Sequence, residues 1–306
     1  MSLFIAAALI LVLVSTITGF TPRNVPYVPF ASSRGASRFR MEIKLAPTVD
    51  SPLSAEVTYH GLSISGFTSK KTNIAEPFVF LKLFEKEKWD SITAVTDDLP
   101  FTRKRLTTPE TVYSGLIDAL KYHCISDDNN LEAGIKGNEA WIAFNVSSAE
   151  LPAMADIAIN NGVKRVVFAT PVLSDGMGAD VTFAGPCEKM TSAGIDYTIL
   201  KFGADSVTRM GEAKFPYRIV RGEAAIPVGG EVLSSDDLMR IIAEVVDLPK
   251  TFNCVYGIGA GSNVDREILT YMKSQGWPER VQIGLLCGDF MEKAEEAYER
   301  IQGGLR

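Results

Sequence analysis

Histidine is nearly absent from the 306-residue sequence, which contains only two. Two histidines cannot supply a multi-histidine metal site, and they give little support for a Ser-His-Asp arrangement. Cysteine is also sparse, and no two of the four cysteines have the Cys-x-x-Cys spacing of a zinc knuckle or a dithiol redox motif. We therefore predict no metal site, and we expect buried or free thiols in a reducing compartment. The residues concerned are His60, His123, Cys124, Cys187, Cys254 and Cys287.

Acidic residues are missing from the first 41 positions, and the first one is Glu42. The segment opens with an uncharged apolar run, MSLFIAAALILVLVSTITGF, which is rather short for a membrane span of about 20 apolar residues. It continues with arginines and serines, a composition typical of a transit peptide. We predict a signal peptide over residues 1–19 and a plastid transit peptide over residues 20–41, with Phe20 near their junction. The pair resembles the bipartite plastid leader of diatoms and related algae; an ordinary secreted protein and a single N-terminal anchor are the alternatives.

The rest of the chain has no strong charge bias and no further long apolar run. A net charge of −6 gives no support for a basic nucleic-acid-binding surface. No stretch after the leader is long and apolar enough to span a membrane. Without a 41-residue leader about 265 of the 306 residues remain, which suits one α/β domain, predicted over residues 50–306.

Strand-like and helix-like runs alternate along this domain. Such alternation predicts right-handed βαβ units and a doubly wound parallel sheet, with a helical extension at the C-terminus. Strands are predicted over 55–64, 91–96, 122–126, 139–146, 163–170, 194–203 and 251–259. Helices are predicted over 75–89, 108–120, 147–162, 183–194 and 234–246, with a short one near 129–137 and two amphipathic ones after residue 260.

Four segments follow the order and wording of a known family: LEAGIKGNEAWIAFN, AINNGVKRVVFAT, EKMTSAGIDYTILKFGAD and VLSSDDLMRIIAEVV. With these segments the chain resembles the atypical short-chain dehydrogenases, and more narrowly their NAD(P)-binding, NmrA-like branch in plastids and cyanobacteria. The resemblance covers nearly all of the chain after the leader, and it is strongest from Leu131 to about Gly257. It implies a Rossmann-like sheet with NADP or NAD lying across the carboxyl ends of the strands.

The stretch YTILK, residues 197–201, has the Tyr-x-x-x-Lys spacing of the catalytic pair of these dehydrogenases. Apolar and polar residues alternate around it, which predicts a strand rather than a helix. On a strand, Tyr197 and Lys201 lie on one face but about 13 Å apart. A helix would bring such a pair to about 5–6 Å. We therefore interpret the match as a coincidence.

The resemblance instead implies a catalytic helix over residues 183–194. No tyrosine occurs between Trp141 and Tyr197, and the helix begins with Phe183. Thr170 matches the family's serine or threonine after the fifth strand, and Lys189 lies late on the helix. These two are the only catalytic candidates, and Lys189 is more simply explained as a solvated helix lysine. A lone hydroxyl cannot easily run the proton relay that hydride transfer needs.

The phosphate cradle implied by the resemblance falls in SGFTSKKTNIAEP, where only the first glycine, Gly66, is present. A Rossmann cradle uses glycines for a tight turn and for close approach of the pyrophosphate. In one interpretation hydroxyls, two lysines and a helix N-terminus still hold phosphate; in the other the pocket has decayed. The candidate cradle residues are Gly66, Thr68, Ser69, Lys70 and Lys71.

Two charged groups near the second strand give opposite predictions about the cofactor. Asp97 and Asp98 end that strand and would favour the free 2′-hydroxyl of NAD, whereas the basic run 103–105 would favour the 2′-phosphate of NADP. Further cofactor contacts are implied at the ends of later strands. These candidates are Asp127, Asn145, Thr170 and Phe202.

The missing tyrosine and glycines favour a protein that binds a dinucleotide without dehydrogenase catalysis. We expect a plastid scaffold or assembly factor that responds to the dinucleotide. The alternative is an NADPH-dependent oxidoreductase with unusual catalytic residues. An apolar stripe near the C-terminus is predicted to pack on the domain or to dock a plastid protein partner. Its members are Phe290, Ala294, Ala297, Tyr298 and Ile301.

Overall fold

A computed structural model of the chain describes residues 57–66, 76–125, 130–172, 183–203, 207–208, 216–222, 233–274 and 276–288. The predicted leader and the C-terminal apolar stripe lie outside these ranges. The chain divides into two compact units, and the one from Glu56 to Arg266 contains the sheet. Of the other unit, residues 267–274 and 276–288 are described.

The unit from Glu56 to Arg266 is built on an eight-stranded sheet with the order β3-β2-β1-β4-β5-β6-β10-β8. Seven neighbouring strands run parallel, and β8 pairs antiparallel to β10 at one edge. The strand order reverses at β1, which defines a doubly wound, Rossmann-like fold and confirms the predicted fold class. The strands are β1 Gly61–Ser65, β2 Ser91–Thr96, β3 Lys121–Cys124, β4 Ala140–Phe144, β5 Arg165–Val172, β6 Asp196–Gly203, β8 Tyr217–Arg221 and β10 Cys254–Ala260, and the small parallel pair β7 Val207–Thr208 and β9 Leu233–Ser234 stands apart.

Helices cover both faces of the sheet. On one face α6 packs beside α7, and on the other α1 packs beside α8. The helices are α1 Glu76–Glu85, α2 Leu99–Leu106, α3 Pro109–Tyr113, α4 Leu116–Ala119, α5 Leu131–Ile135, α6 Leu151–Asn160, α7 Ala184–Ser192, α8 Ser235–Val245, α9 Asn263–Ser274 and α10 Glu279–Leu286.

Several element boundaries differ from the predictions for local reasons. The helix predicted over 108–120 is broken at Gly115, which takes a left-handed φ of 76°. Helix α2 was not predicted, although Asp98 caps it and proline occupies its first turn. The antiparallel strand β8 was also not predicted. Its position depends on pairing with β10 rather than on any local signal.

The core on the α6 and α7 face is apolar and aromatic. Trp141 meets Phe168 edge to face, with ring centroids 5.7 Å apart. The Trp141 indole donates to the Ser65 hydroxyl at 2.9 Å, so its polar atom is satisfied inside the core. Phe183 and Met190 of the α7 segment complete the same cluster. This packing holds α7 against β5 and β6.

All four cysteines are free thiols, and three of them are buried.

In the other unit, Gln282 lies within α10 and Trp277 lies just before that helix. The Gln282 side-chain amide donates to the Trp277 carbonyl at 2.6 Å. Within the described residues, no helix combines the length and the apolarity needed to cross a membrane.

Candidate functional site

A cavity of about 340 Å³ opens at the carboxyl ends of β1, β2 and β4. This is the point where the strand order reverses, and ligands of open α/β sheets bind at that position. Three residues singled out from the sequence line it together: Gly66, Asp97 and Asn145. Leu131 and Met154 supply an apolar wall. We call this cavity the crevice; its lining also includes Glu150.

Gly66 is required by the backbone geometry of the crevice. Its φ is 75°, a left-handed conformation that glycine adopts without penalty. A Cβ atom at this position would lie 2.1 Å from the carbonyl oxygen of Phe144. The turn after β1 therefore presses directly against the end of β4, and no side chain fits between them.

Asn145 fastens the same two strand ends together. Its φ is 57°, and asparagine is among the few residues that tolerate this conformation. Its side-chain amide donates to the Gly66 carbonyl at 2.6 Å. The rim of the crevice is thus held in a strained backbone conformation by a hydrogen bond between β1 and β4.

The two aspartates after β2 have separate roles. The Asp98 carboxylate accepts from the Phe101 amide at 2.9 Å and caps α2. Asp97 is exposed and lines the crevice. The sequence did not show which of the two aspartates would contact a cofactor. In the structure Asp97 lines the cavity and Asp98 does not.

The basic run 103–105 is not part of the crevice lining. These residues form the last turn of α2. The Arg103 guanidinium lies 4.7 Å from the centroid of the Tyr122 ring, and that of Arg105 lies 5.6 Å from the centroid of the Phe101 ring. These two guanidinium groups pack on aromatic faces.

Glu150 is a crevice residue that sequence reasoning missed. Its carboxylate accepts from the Ser147 amide at 2.9 Å and from the Ser147 hydroxyl at 2.6 Å. The Ser-x-x-Glu spacing before an apolar run is a known helix-start signal and could have identified it. Glu150 adds a second carboxylate to the lining beside Asp97.

Five of the predicted cofactor residues lie outside the described part of the chain. They are Thr68, Ser69, Lys70, Lys71 and Asp127.

Thr170 and Phe202 lie at the carboxyl ends of β5 and β6 but on opposite faces of the sheet. Thr170 pairs with Lys201, and Phe202 pairs with Pro171, so the alternation of the strands separates their side chains. Thr170 is fully buried, and Phe202 is almost so. The structure brings neither residue to the crevice lining.

Lys189 does not join Thr170. Its ammonium forms an ion pair with the Asp156 carboxylate on α6, and both side chains are about half exposed. An exposed pair of this kind links the two helices at the surface. Lys189 therefore lies at the surface of α7 and does not line the crevice.

Tyr197 and Lys201 lie on β6, which confirms that YTILK forms a strand. The Tyr197 ring is part of the core cluster with Cys187 and Ile199. Burial raises the pKa of the Tyr197 hydroxyl, and a hydrogen bond to Cys187 raises it further. Tyr197 is thus a core residue, and it does not line the crevice.

Several solved structures are similar to this chain. A candidate NAD-dependent epimerase/dehydratase from Bacillus halodurans is 12% identical over 69% of this chain and 99% of its own, with a TM-score of 0.46. The quinone oxidoreductase QOR2 of Escherichia coli, complexed with NADPH, is 14% identical over 78% of this chain and 90% of its own, with a TM-score of 0.41. ChuY from E. coli strain CFT073 is 14% identical over 65% of this chain and 96% of its own, with a TM-score of 0.41.

At these identities and TM-scores the similarities carry no argument about activity, and the fold assignment rests on the strand order itself. No protein-family model matches the sequence, and no curated protein matches it either.

Proposed function

We propose that this protein binds a nicotinamide dinucleotide across the carboxyl ends of its strands and does not use it for hydride transfer by a Tyr–Lys mechanism. The observation that carries the proposal is the crevice at the point where the strand order reverses. Its left-handed Gly66 provides the tight turn after β1 that a phosphate cradle requires. Ligand binding at this position follows from the geometry of open parallel sheets.

Asp97 gives the proposed site a preference for NAD over NADP. A carboxylate at the end of the second strand accepts hydrogen bonds from a free 2′-hydroxyl and repels a 2′-phosphate. Glu150 adds negative charge to the same lining. Among the described lining residues there is no lysine or arginine to neutralise a 2′-phosphate.

The start of α7 supports the absence of dehydrogenase chemistry. The helix opens with Ala184, Gly185 and Pro186, none of which titrates. Lys189 is engaged with Asp156 on the surface. We infer a dinucleotide-responsive scaffold or assembly factor. An oxidoreductase with unusual residues is the second candidate, favoured by the pairing of Thr170 with Lys201 across β5 and β6.

Titration of the purified protein with NADH and NADPH tests the binding proposal. We expect dissociation constants of tens of micromolar or weaker, about −6 kcal/mol of binding free energy, with NADH bound more tightly. Asp97→Asn should narrow the difference between the two cofactors. Asp98→Asn is the matched control, because asparagine still caps α2 and the NADH preference should persist.

Turnover assays separate the two candidate functions. The scaffold proposal expects no appreciable oxidation of NADH or NADPH with carbonyl or quinone acceptors. Robust turnover would favour the oxidoreductase, and an absence of any dinucleotide binding would overturn both.

We also propose that the protein acts in the plastid, on the basis of the composition of residues 1–41. Fusion of that segment to a fluorescent protein should direct fluorescence to the plastid in a diatom. Phe20→Ala should divert the fusion. Fluorescence elsewhere with the unchanged segment would reject the bipartite leader.

A further inference from the structure

A second cavity, of about 490 Å³, opens at the amino ends of β2 and β3. Its volume is within the size range of small-molecule sites. The end of α1 and the turn into β2 line one part of it, and Ser114, Ala119 and Leu120 line another. The six-residue strand β2, about 20 Å long, separates this second cavity from the crevice.

Part of the lining of the second cavity is aromatic and aliphatic. Trp89 and Phe84 contribute rings that are partly buried. The Trp89 ring stacks on that of Tyr59, with the centroids 6.2 Å apart and the planes within 10° of parallel. The aliphatic members are buried, and they are Leu83, Ile92 and Leu120. Such a lining offers apolar area together with aromatic rings that attract organic cations.

The charged part of the lining is acidic. Its three carboxylates are exposed and belong to Glu85, Glu87 and Asp90. The part of the chain that the structure describes contributes no lysine or arginine to this lining. Lys86 and Lys88 alternate with the acids in the turn, but their ammonium groups bind the Asp247 carboxylate. The charge of the second cavity is therefore complementary to that of a cation.

The three carboxylates remain accessible to a ligand. Glu85 faces the Lys82 ammonium at 3.7 Å, and Asp90 contacts the His60 ring at 2.9 Å, and such solvent-exposed pairs are weak. Glu87 takes a left-handed φ of 51° after α1, where glycine is the usual residue. A glutamate is unfavourable in this conformation, and a ligand contact would give it a function there.

We propose that the second cavity binds a small organic ammonium ion. Its apolar body lies against Trp89 and Phe84, and its charged group lies among the carboxylates around Glu87. Aromatic rings and carboxylates both attract an organic cation. An anion of the same size would be repelled, and an inorganic cation would leave the aromatic rings without a contact. The proposal does not depend on dinucleotide binding in the crevice.

Proton–nitrogen NMR of the purified protein tests the site through the three tryptophan indole N–H signals. Trp89 lines the second cavity, whereas Trp141 and Trp277 are buried and do not line it. Benzylamine, which is protonated at pH 7, should shift the Trp89 signal in a saturable manner, with a Kd of about 1 mM. The other two signals should not move, and Trp89→Phe assigns the signals.

Two comparison ligands separate the charge from the apolar body. Benzyl alcohol has nearly the shape of benzylamine but no charge, and it should bind at least fivefold more weakly. Ammonium chloride has the charge without the ring and should give no saturable shift. These titrations contain no dinucleotide, so their outcome is separate from that of the NADH titration.

Three variants assign the binding to the proposed residues. Glu87→Gln should weaken it about threefold, and the double variant Glu85→Gln with Glu87→Gln about tenfold, as expected for exposed charges. Ala119→Phe should block it, because the added ring would occupy the cavity from α4. Glu188→Gln is the matched control, since Glu188 is exposed on α7 outside the lining, and full affinity should persist.

The proposal is overturned if benzylamine gives no saturable shift of the Trp89 signal, or if benzyl alcohol binds as tightly. It is also overturned if the double glutamine variant keeps full affinity. Both glutamates are exposed, so that variant decides the question even if Ala119→Phe does not fold.

Discussion

The two ends of the parallel strands in the central sheet differ in how their polar groups are arranged; we call these ends the amino edge and the carboxyl edge. At the amino edge, where the parallel strands begin, buried charges are surrounded by partners. At the carboxyl edge, where they end, Gly66 and Asn145 join the ends of β1 and β4 beside a cavity, and the buried Thr170 hydroxyl has no hydrogen-bond partner within the described residues. The contrast separates a set of paired charges that stabilises the fold from a crevice that is shaped for a ligand.

Arg165 is the centre of the amino edge. It is fully buried and donates to the carbonyls of Val245 and Val246 at 2.8 and 2.9 Å, at the C-terminal end of α8. It also donates to the Thr198 hydroxyl at 2.6 Å. Burial lowers the pKa of its guanidinium to about 10, yet the group stays charged at neutral pH. The cation thus caps the negative end of a helix from inside the protein.

A second set of charges completes this edge. The buried Asp247 carboxylate contacts the Lys86 ammonium at 3.2 Å and the Lys88 ammonium at 3.0 Å. Lys86 also pairs with Glu244 and donates to the Ala243 carbonyl. These bonds tie the segment after α1 to the end of α8. At the carboxyl edge the two acidic residues that line the crevice, Asp97 and Glu150, are exposed.

The largest expected effect is at the amino edge, on Arg165. Arg165→Met should lower the free energy of unfolding by about 3–5 kcal/mol, because it leaves buried carbonyls without donors. Denaturant unfolding would measure the loss. The adjacent Lys164→Met should cost about 1 kcal/mol or less, since it removes only an exposed ion pair with Glu139. Equal losses in the two variants would contradict the contrast between the edges.

At the carboxyl edge, Gly66→Ala should damage both stability and binding. The added Cβ would meet the Phe144 carbonyl at 2.1 Å and must also adopt a left-handed φ. We expect a loss of about 2–4 kcal/mol, measured by denaturant unfolding, and at least tenfold weaker NADH binding.

Gly162→Ala separates the two causes. Gly162 has a φ of 68°, but a Cβ there would meet nothing within 4 Å. Gly162→Ala should lower the free energy of unfolding by only about 1 kcal/mol, because only the left-handed conformation of the alanine is unfavourable. It should leave NADH binding unchanged. A similar loss in both glycine variants would show that the close approach to β4 is unimportant.

A smaller effect should appear at alkaline pH through Tyr59, which precedes β1 at the amino edge. Burial raises the pKa of its hydroxyl to about 12 from 10.0. As the pH rises, the unfolded chain loses this proton at a lower pH than the folded protein does. The contribution of the Tyr59 hydroxyl to the free energy of unfolding is therefore complete below pH 10 and is lost as pH rises through 12. Relative to Tyr59→Phe, the wild type should lose about 2 kcal/mol of unfolding free energy between pH 10 and 12.

The control for this pH dependence is Tyr113→Phe. Tyr113 is 91% exposed and should leave the pH dependence of unfolding as it is in the wild type. A difference between Tyr59→Phe and wild type that does not change with pH would contradict the burial of the Tyr59 hydroxyl.

The smallest effect is expected for Tyr197→Phe. Its ring packs in the core, so removing the hydroxyl should cost about 1 kcal/mol or less and should change neither NADH binding nor any turnover. Titration and turnover assays of the variant would check this. Turnover that disappears in Tyr197→Phe would restore YTILK as a catalytic pair.

Local patterns in the sequence predicted the order of the strands and helices well. The strand at 91–96 has the predicted bounds, and the alternation around YTILK placed it on a strand. Helix α2 could have been predicted from Asp98 and the proline that follows, since both signals are local. The break at Gly115 is local in the same sense, but a glycine within a helical pattern does not state whether the helix continues.

By itself the sequence determined the doubly wound fold and the absence of a tyrosine on α7, because periodicity and composition depend only on neighbouring residues. Only the tertiary structure decided that Gly66 touches Phe144, that Asp97 and not Asp98 lines the crevice, and that Thr170 lies beside Lys201. These contacts join residues from different strands. Their partners are set by register across the sheet, which no local pattern contains.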